Sequence, residues 1–309
     1  MARDGKAVCR CQFTEGRAGR NGATISRRRV LRLSSLRIAR GRTVLGETTA
    51  LFFQTELRWP PPEVFDFRVS NRMIRGLFNK LFEPDFDEFA YQNIQLEAVR
   101  PTLSTHVANT RNVIQFDASS AMPSMAIEES KSQSHVDHFV KRVNSVLRAL
   151  DEVAKYLEVE VPCFFLQRCR IQCLAQPHNR DGSLALLAGG VANVLEQIEP
   201  FERPPCHFGV RFRFPPTTVA TTDSGQEQTH HNFATVRFET YARDPRQVWM
   251  EVASEYLLVP EGLKLADTGR ISEHIRQSYD FLTNQCVKFL NQFDVETPKD
   301  DDYEEKEQS

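Results

Sequence analysis

The chain has 309 residues, 40% hydrophobic and 26% charged, with a formal net charge of −2. This balance suits a soluble globular protein of one large domain or two ordinary ones. No run approaches the ~18 apolar residues of a membrane-spanning helix, which argues against a membrane partner. Seven cysteines, scattered and odd in number, form no disulfide framework and point to a reducing, cytoplasmic setting.

The charge is unevenly spread. Residues 1–50 carry twelve Lys or Arg against three Asp or Glu, and the rest carries 27 against 38. Residues 1–48 read as a basic, disordered leader. Ser26-Arg-Arg-Arg29 resembles a twin-arginine export signal, but Arg37, Arg40 and Arg42 interrupt the apolar region that should follow. Such an arm could also touch nucleic acid through its phosphates. Cys9 and Cys11 are too few for a zinc site.

Residues 49–160 read as a first sheet-plus-helix unit. Leu51, Phe53, Leu57 and Trp59 alternate with Gln54, Glu56 and Arg58, the period of a strand. Ser70 is placed to cap a helix bearing Met73, Ile74, Leu77, Phe78 and Leu81, stopped by Pro84. The aromatic run Phe82, Phe86, Phe89 and Tyr91 reads as core filling. Strands are expected at Leu96–Val107 and Asn112–Ala118, then a turn at Ala121-Met-Pro-Ser124 and a return strand from Met125. A long helix follows, capped at Ser134, with Phe139, Val140, Val143, Leu147, Leu150 and Val153 on one face. His135 and His138 lack a third metal ligand and read as polar first-turn residues.

Residues 161–295 read as a second unit. Pro162 opens a strand with Cys163, Phe165, Cys169, Ile171 and Cys173 on one parity and Arg168, Arg170 and Gln172 on the other. Cys169 and Cys173 stand roughly 13 Å apart on a strand, too far to share a metal ion. Asp181-Gly-Ser183 precedes a helix with Leu184, Leu187, Val191, Val194, Leu195 and Ile198 on one side; it contains Gly189-Gly190, explained by close packing on a sheet. Phe208, Val210, Phe212 and Phe214 alternate with His207, Arg211 and Arg213. Asn232–Ser254 is the clearest hairpin, turning at Arg243-Asp-Pro-Arg246, with Val236, Phe238, Val248, Met250 and Val252 inward. A last helix from about Ile271 to Phe293 carries Ile275, Tyr279, Leu282, Cys286, Phe289 and Phe293 as its stripe. The tail 296–309 is acidic and reads as disordered.

The halves repeat an order: strand, helix, strand, hairpin, long helix. Leu51–Leu57 lines up with Phe164–Arg170, and Val113–Ser130 with Thr235–Ser254. The expected fold class is therefore α+β, with two pseudo-repeated units, each a mainly antiparallel sheet covered on one face by two helices. With Pro162–Leu174 as the central basic strand, the layout resembles a sporadically distributed family of uncharacterised bacterial proteins. The strand departs from that family in lacking a Tyr-Ile-Asn sequence. The resemblance implies a fold and no activity.

The sequence contains no G-x-S-x-G elbow, phosphate-binding loop, dinucleotide fingerprint or H-E-x-x-H pair. His178 with Asp181, and His230-His231, have no nucleophile to serve. Arg168, Arg170, Arg211, Arg213 and Arg237 share an outward parity and form a candidate anion-binding stripe. The expected function is that of a non-enzymatic binding or interaction protein, without cofactor, for a protein or anionic ligand. The alternatives are a nucleic-acid-binding protein using the same face and an enzyme with a site between the halves.

Overall fold

A computed structural model of the chain describes residues 48–59, 67–81, 83, 93–95, 102–107, 110–117, 119–128, 135–158, 163–178, 182–195, 205–217, 232–258 and 268–294. Residues 1–47 of the leader, Phe82, Phe86, Phe89, Tyr91, Ser134, Asp181, His230, His231 and the acidic tail lie outside them. The chain divides into two compact units, Met1–Gly41 and Arg42–Ser309, and all described residues belong to the second.

The first half gives β1 (Thr49–Arg58), α1 (Phe67–Leu81), β2 (Asn93–Gln95), β3 (Thr102–Val107), β4 (Thr110–Asp117), β5 (Ser120–Ile127) and α2 (His135–Tyr156). The second gives β6 (Leu166–Ala175), then a helical turn α3 (Gly182–Leu184) that runs into a π-helix (Ala185–Val191). It continues with β7 (Gly209–Thr217), β8 (Asn232–Thr240), β9 (Val248–Leu257) and α4 (Thr268–Asp280). A π-helical stretch (Phe281–Cys286) links α4 to α5 (Val287–Leu290). Among the described residues no helix is long and apolar enough to cross a membrane.

The protein is α+β, and its strands form one sheet rather than two. Nine strands lie in the order β2-β3-β4-β5-β1-β6-β9-β8-β7. Every neighbouring pair is antiparallel. The halves meet edge to edge where β1 pairs with β6, Phe53 facing Ile171 and Glu56 facing Arg168. Outward from this pair, β5, β4 and β3 on one side match β9, β8 and β7 on the other.

The helices cover one face. Phe53, Ile171, Val252, Met250 and Phe238 project from neighbouring strands into the core beneath them. Phe53 stacks on Phe139 of α2 at 5.6 Å and meets Tyr279 of α4 at the same separation. Burying a side chain of this size stabilises the fold by about 2–3 kcal/mol. Phe78 of α1 reaches Phe116 of β4, at 6.0 Å.

Several local expectations are corrected. Ser70 lies inside α1 rather than at its cap. The hairpin turns between Asp117 and Ser120, which face each other, so Ala121–Ser124 is strand. Pro123, which suggested a turn, sits within β5. The β1 register steps over it, from Gln54–Ser124 to Leu57–Ala121, as a residue without N–H requires. Phe164, not Phe165, is the fully buried ring ahead of β6. The helix after Gly182 ends its π-helical run at Val191. A Cβ on Gly190 would stand 2.9 Å from Cβ of Phe293, so that glycine admits the end of the closing helix rather than a sheet.

Candidate functional site

The five arginines share the face of the sheet opposite the helices. Cross-strand pairs run Gln172–Glu251, Glu251–Arg237 and Arg237–Arg211, which fixes them on one side. Carboxylates on the same face take three of the five. Arg168 meets Glu255 at 2.9 Å and Glu56 at 3.5 Å. Arg170 meets Glu251 at 2.6 Å. Arg237 pairs with Glu239, reaches Glu251 at 3.5 Å and lies over the Trp249 ring at 5.4 Å. Arg211 and Arg213 are exposed on β7, the last strand of the sheet. Among the described residues Arg211 has no ion-pair partner, and it faces another cation, Arg237.

Under the helices lies a buried polar network that the sequence did not announce. Gln167 occupies a core position of β6. It donates to the Ile271 carbonyl at 3.0 Å and to Thr55 Oγ1 at 3.3 Å, and its Oε1 lies 2.8 Å from His274 Nδ1. The His274 ring stacks on Tyr256 at 3.9 Å, and the Tyr256 hydroxyl meets Ser278 Oγ at 2.9 Å. Burial, with a smaller push from Arg270, holds His274 down at about 4. Burial pushes the Cys169 thiol up to about 12. A neutral thiol and a neutral imidazole held by an amide stitch α4 to the centre of the sheet; they make no activated nucleophile.

The histidines set aside as metal or acid–base groups have other surroundings. Asp137 pairs with Arg276 at 3.0 Å, and His138 is exposed. The His135 ring nitrogens are buried and find no hydrogen-bond partner. The His178 amide donates to the Asp294 carboxylate at 2.8 Å, fastening the end of the closing helix. Among the described residues no three His, Cys, Asp or Glu groups are placed to hold a metal.

Two cavities among the described residues bear on function. A groove of about 590 Å³ between α1 and α2 is walled by Arg72, Arg75, Lys80, Glu83 and Glu152. Lys80 already meets Glu83 at 2.8 Å and Glu152 at 3.1 Å, so the groove is largely a self-compensated helix seam. The second cavity, about 290 Å³, is of another kind. Phe212 and Phe214 of β7, Val236 and Phe238 of β8, Phe281, Gln285 and Cys286 at the π-helical stretch, and Phe289 of α5 enclose it.

Its rings form a cluster of three and a separate pair. Phe212 meets Phe289 edge-on at 5.5 Å and Phe238 at 6.0 Å. Phe214 meets Phe281 at 5.5 Å with planes at 88°. The π-helical stretch lies on this wall. Thr283 Oγ1 donates to the Tyr279 carbonyl at 2.9 Å, the back-bonding that bends a helix. A π-helical turn shifts the helix's facing by a fraction of a turn and recurs at functional sites. The Cys286 thiol on the wall is pushed up to about 12 by burial. Phe212 remains 37% exposed and Phe214 41%, unusual for side chains that could have been covered.

No protein-family model matches the chain, and no curated protein matches it. Two solved structures are similar to it. One is the di-domain ARO/CYC StfQ from the steffimycin biosynthetic pathway, at 8% identity and a TM-score of 0.19, covering 79% of this chain and 98% of that one. The other is the di-domain ARO/CYC BexL from the BE-7585A biosynthetic pathway, at 12% identity and a TM-score of 0.20, covering 67% of this chain and 80% of that one. Similarity at this level establishes neither a shared fold nor a shared activity.

Proposed function

We propose that the chain is a non-enzymatic binding protein that takes an apolar, ring-bearing ligand into the phenylalanine pocket. One observation carries the reading. Rings from β7, β8 and the closing helix converge on a cavity of about 290 Å³, and two of them stay open to solvent. A concave apolar wall with one polar side chain at its rim, Gln285, is the general form of a small-ligand site. Among the described lining residues the one ionisable group is a protonated thiol, which favours binding over chemistry. Titration with 1-naphthol tests it. A ligand of this size is expected to bind with a dissociation constant of about 10 µM to 1 mM. Phe212→Ala should weaken it at least tenfold; equal affinity in that variant refutes the site.

An anionic partner, nucleic acid included, on the arginine face is a second reading. It is favoured by the exposed Arg211 opposite Arg237 at the sheet's margin. Its signature is binding that weakens steeply with salt.

The symmetric strand order about β1 and β6 supports an internal duplication. The five free cysteines among the described residues support a cytoplasmic setting. Membership of the sporadic bacterial family is compatible with all of this and adds no ligand.

A further inference from the structure

β7 ends the sheet, and among the described residues no strand lies beyond it. The other margin differs. There β3, the counterpart of β7, gains a further short strand, β2, with Ile94 facing Leu103. The outer backbone groups of β7 can be identified. Thr240 donates its N–H to the Phe208 carbonyl at 2.9 Å. In an antiparallel ladder this assigns Val210–Phe238 and Phe212–Val236 to the hydrogen-bonded pairs. The N–H and C=O of Gly209, Arg211 and Arg213 are then directed away from β8. The usable edge is short, because the register shifts after Phe214 and Pro215 has no N–H to offer.

The side chains along this edge select what can pair with it. Arg211 and Arg213 are exposed on the open face of the sheet, and Phe212, on the helix side, is 37% exposed. Arg237, opposite Arg211, draws Glu239 and Glu251 to itself, and Arg211 has no ion-pair partner among the described residues. Antiparallel pairing with β7 of a second copy is disfavoured. Each register centred on Arg211, Phe212 or Arg213 sets arginine against arginine. A complementary strand carries a carboxylate opposite Arg211, an aromatic side chain opposite Phe212 and a carboxylate opposite Arg213.

We infer that the outer edge of β7 receives an extended acid–aromatic–acid segment of a partner protein as an added antiparallel strand. Main-chain hydrogen bonds to Arg211 and Arg213 hold the segment, and the side chains on its two faces set its identity. The guanidinium groups take the two acids, and the exposed ring of Phe212 takes the aromatic. A small ligand in the phenylalanine pocket leaves these edge amides untouched, so the two sites are separable.

The peptide acetyl-Thr-Glu-Phe-Glu-Thr-amide, added to the full chain, tests the pairing by hydrogen exchange. With the peptide at a few millimolar, exchange at the Arg211 and Arg213 amides should slow about fivefold or more. The Val210 and Phe212 amides, already bonded to β8, should change little. N-methylation of both Glu residues of the peptide removes its inward N–H groups and should weaken it about tenfold. N-methylation of its Phe, whose N–H points outward, should be tolerated. Arg211→Glu should weaken the peptide about tenfold and favour a version with Lys in place of both Glu residues. Absent protection, or equal effects of the two N-methylations, overturns the assignment. Protection without peptide that grows with protein concentration also overturns it, giving the edge to a second copy. So does tighter binding of a short oligothymidylate, which gives the arginines to nucleic acid. Titration with 1-naphthol separates this edge from the pocket. Phe212-dependent uptake without edge protection leaves the pocket and sinks the added strand, and edge protection without uptake does the reverse.

Discussion

Glu251 on β9 holds Arg170 on β6 at 2.6 Å while only 5% exposed, on the face of the sheet that carries no described helix. Gln172 donates to the same carboxylate oxygen at 2.7 Å, and Arg237 approaches the other at 3.5 Å. Arg170, Gln172 and Arg237 surround the carboxylate, so it behaves as a buried charge in an otherwise open ladder. Glu251→Gln keeps the shape and removes the charge. It should destabilise the fold by about 1–3 kcal/mol, because two guanidinium groups lose their shared partner. Urea denaturation checks this, and a cycle with Arg170→Ala should return a coupling of about 0.5–3 kcal/mol. Additivity of the two substitutions would show the pair to be an ordinary surface contact.

The His274 imidazole sits at about 4 in the folded chain against an ordinary value near 6.5. The native protein therefore refuses a proton that the unfolded chain accepts. Stability from this group is complete above about pH 6.5 and is lost as pH falls towards 4, with a slope up to about 1.4 kcal/mol per pH unit. His274→Gln should flatten the wild-type slope between pH 6.5 and 4.5 by that amount. Parallel pH profiles in urea melts would contradict the assignment.

Adjacent glycines should respond in opposite directions to alanine. At Gly190 a methyl group would stand 2.9 Å from Phe293 Cβ and 3.5 Å from its carbonyl oxygen. Gly190→Ala should cost about 1–3 kcal/mol through this overpacking. At Gly189 the nearest atoms belong to Leu195, at 3.6 Å and beyond. Gly189→Ala should be neutral or stabilise by up to about 1 kcal/mol, through reduced freedom of the unfolded chain. Thermal melts of the two variants compare them directly.

Cys206 is exposed, whereas Cys169, Cys173 and Cys286 are buried with thiols at about 12. An aromatic disulfide reagent at pH 8 should modify Cys206 within seconds to minutes and leave those three untouched until the chain unfolds. Mass spectrometry of the labelled protein locates the sites. Rapid native labelling of Cys169 would mean that the centre of the sheet opens readily.

Local alternation made much of this fold legible. Val236, Phe238, Val248, Met250 and Val252 face inward as their spacing requires, and the five arginines share a face because parity along a strand is a backbone property. The turn between Asp117 and Ser120 is hidden in the sequence because Pro123 is a stronger local turn signal than the residues at the corner. The helical stripe through Phe293 persists across the π-helical stretch, so periodicity alone does not betray the extra residue per turn. Gln167 is a polar letter at a fully buried position, and its satisfaction depends on elements remote in sequence. The pocket was illegible for the same reason. Phe212, Phe238 and Phe289 each read as core, and only tertiary pairing brings them together.

The pairing of β1 with β6 has a consequence for how the molecule is made. Thr49–Arg58 leaves the ribosome long before Leu166–Ala175. Until then β1 is an edge strand of an incomplete sheet, and its inward side, Phe53 and Leu57, lacks the covering from Tyr279 and its neighbours. Contacts this distant in sequence form late and slowly. The growing chain therefore passes through a stage with an open, sticky edge at the place that becomes the most protected in the finished protein, and synthesis of β6 is the step that closes it.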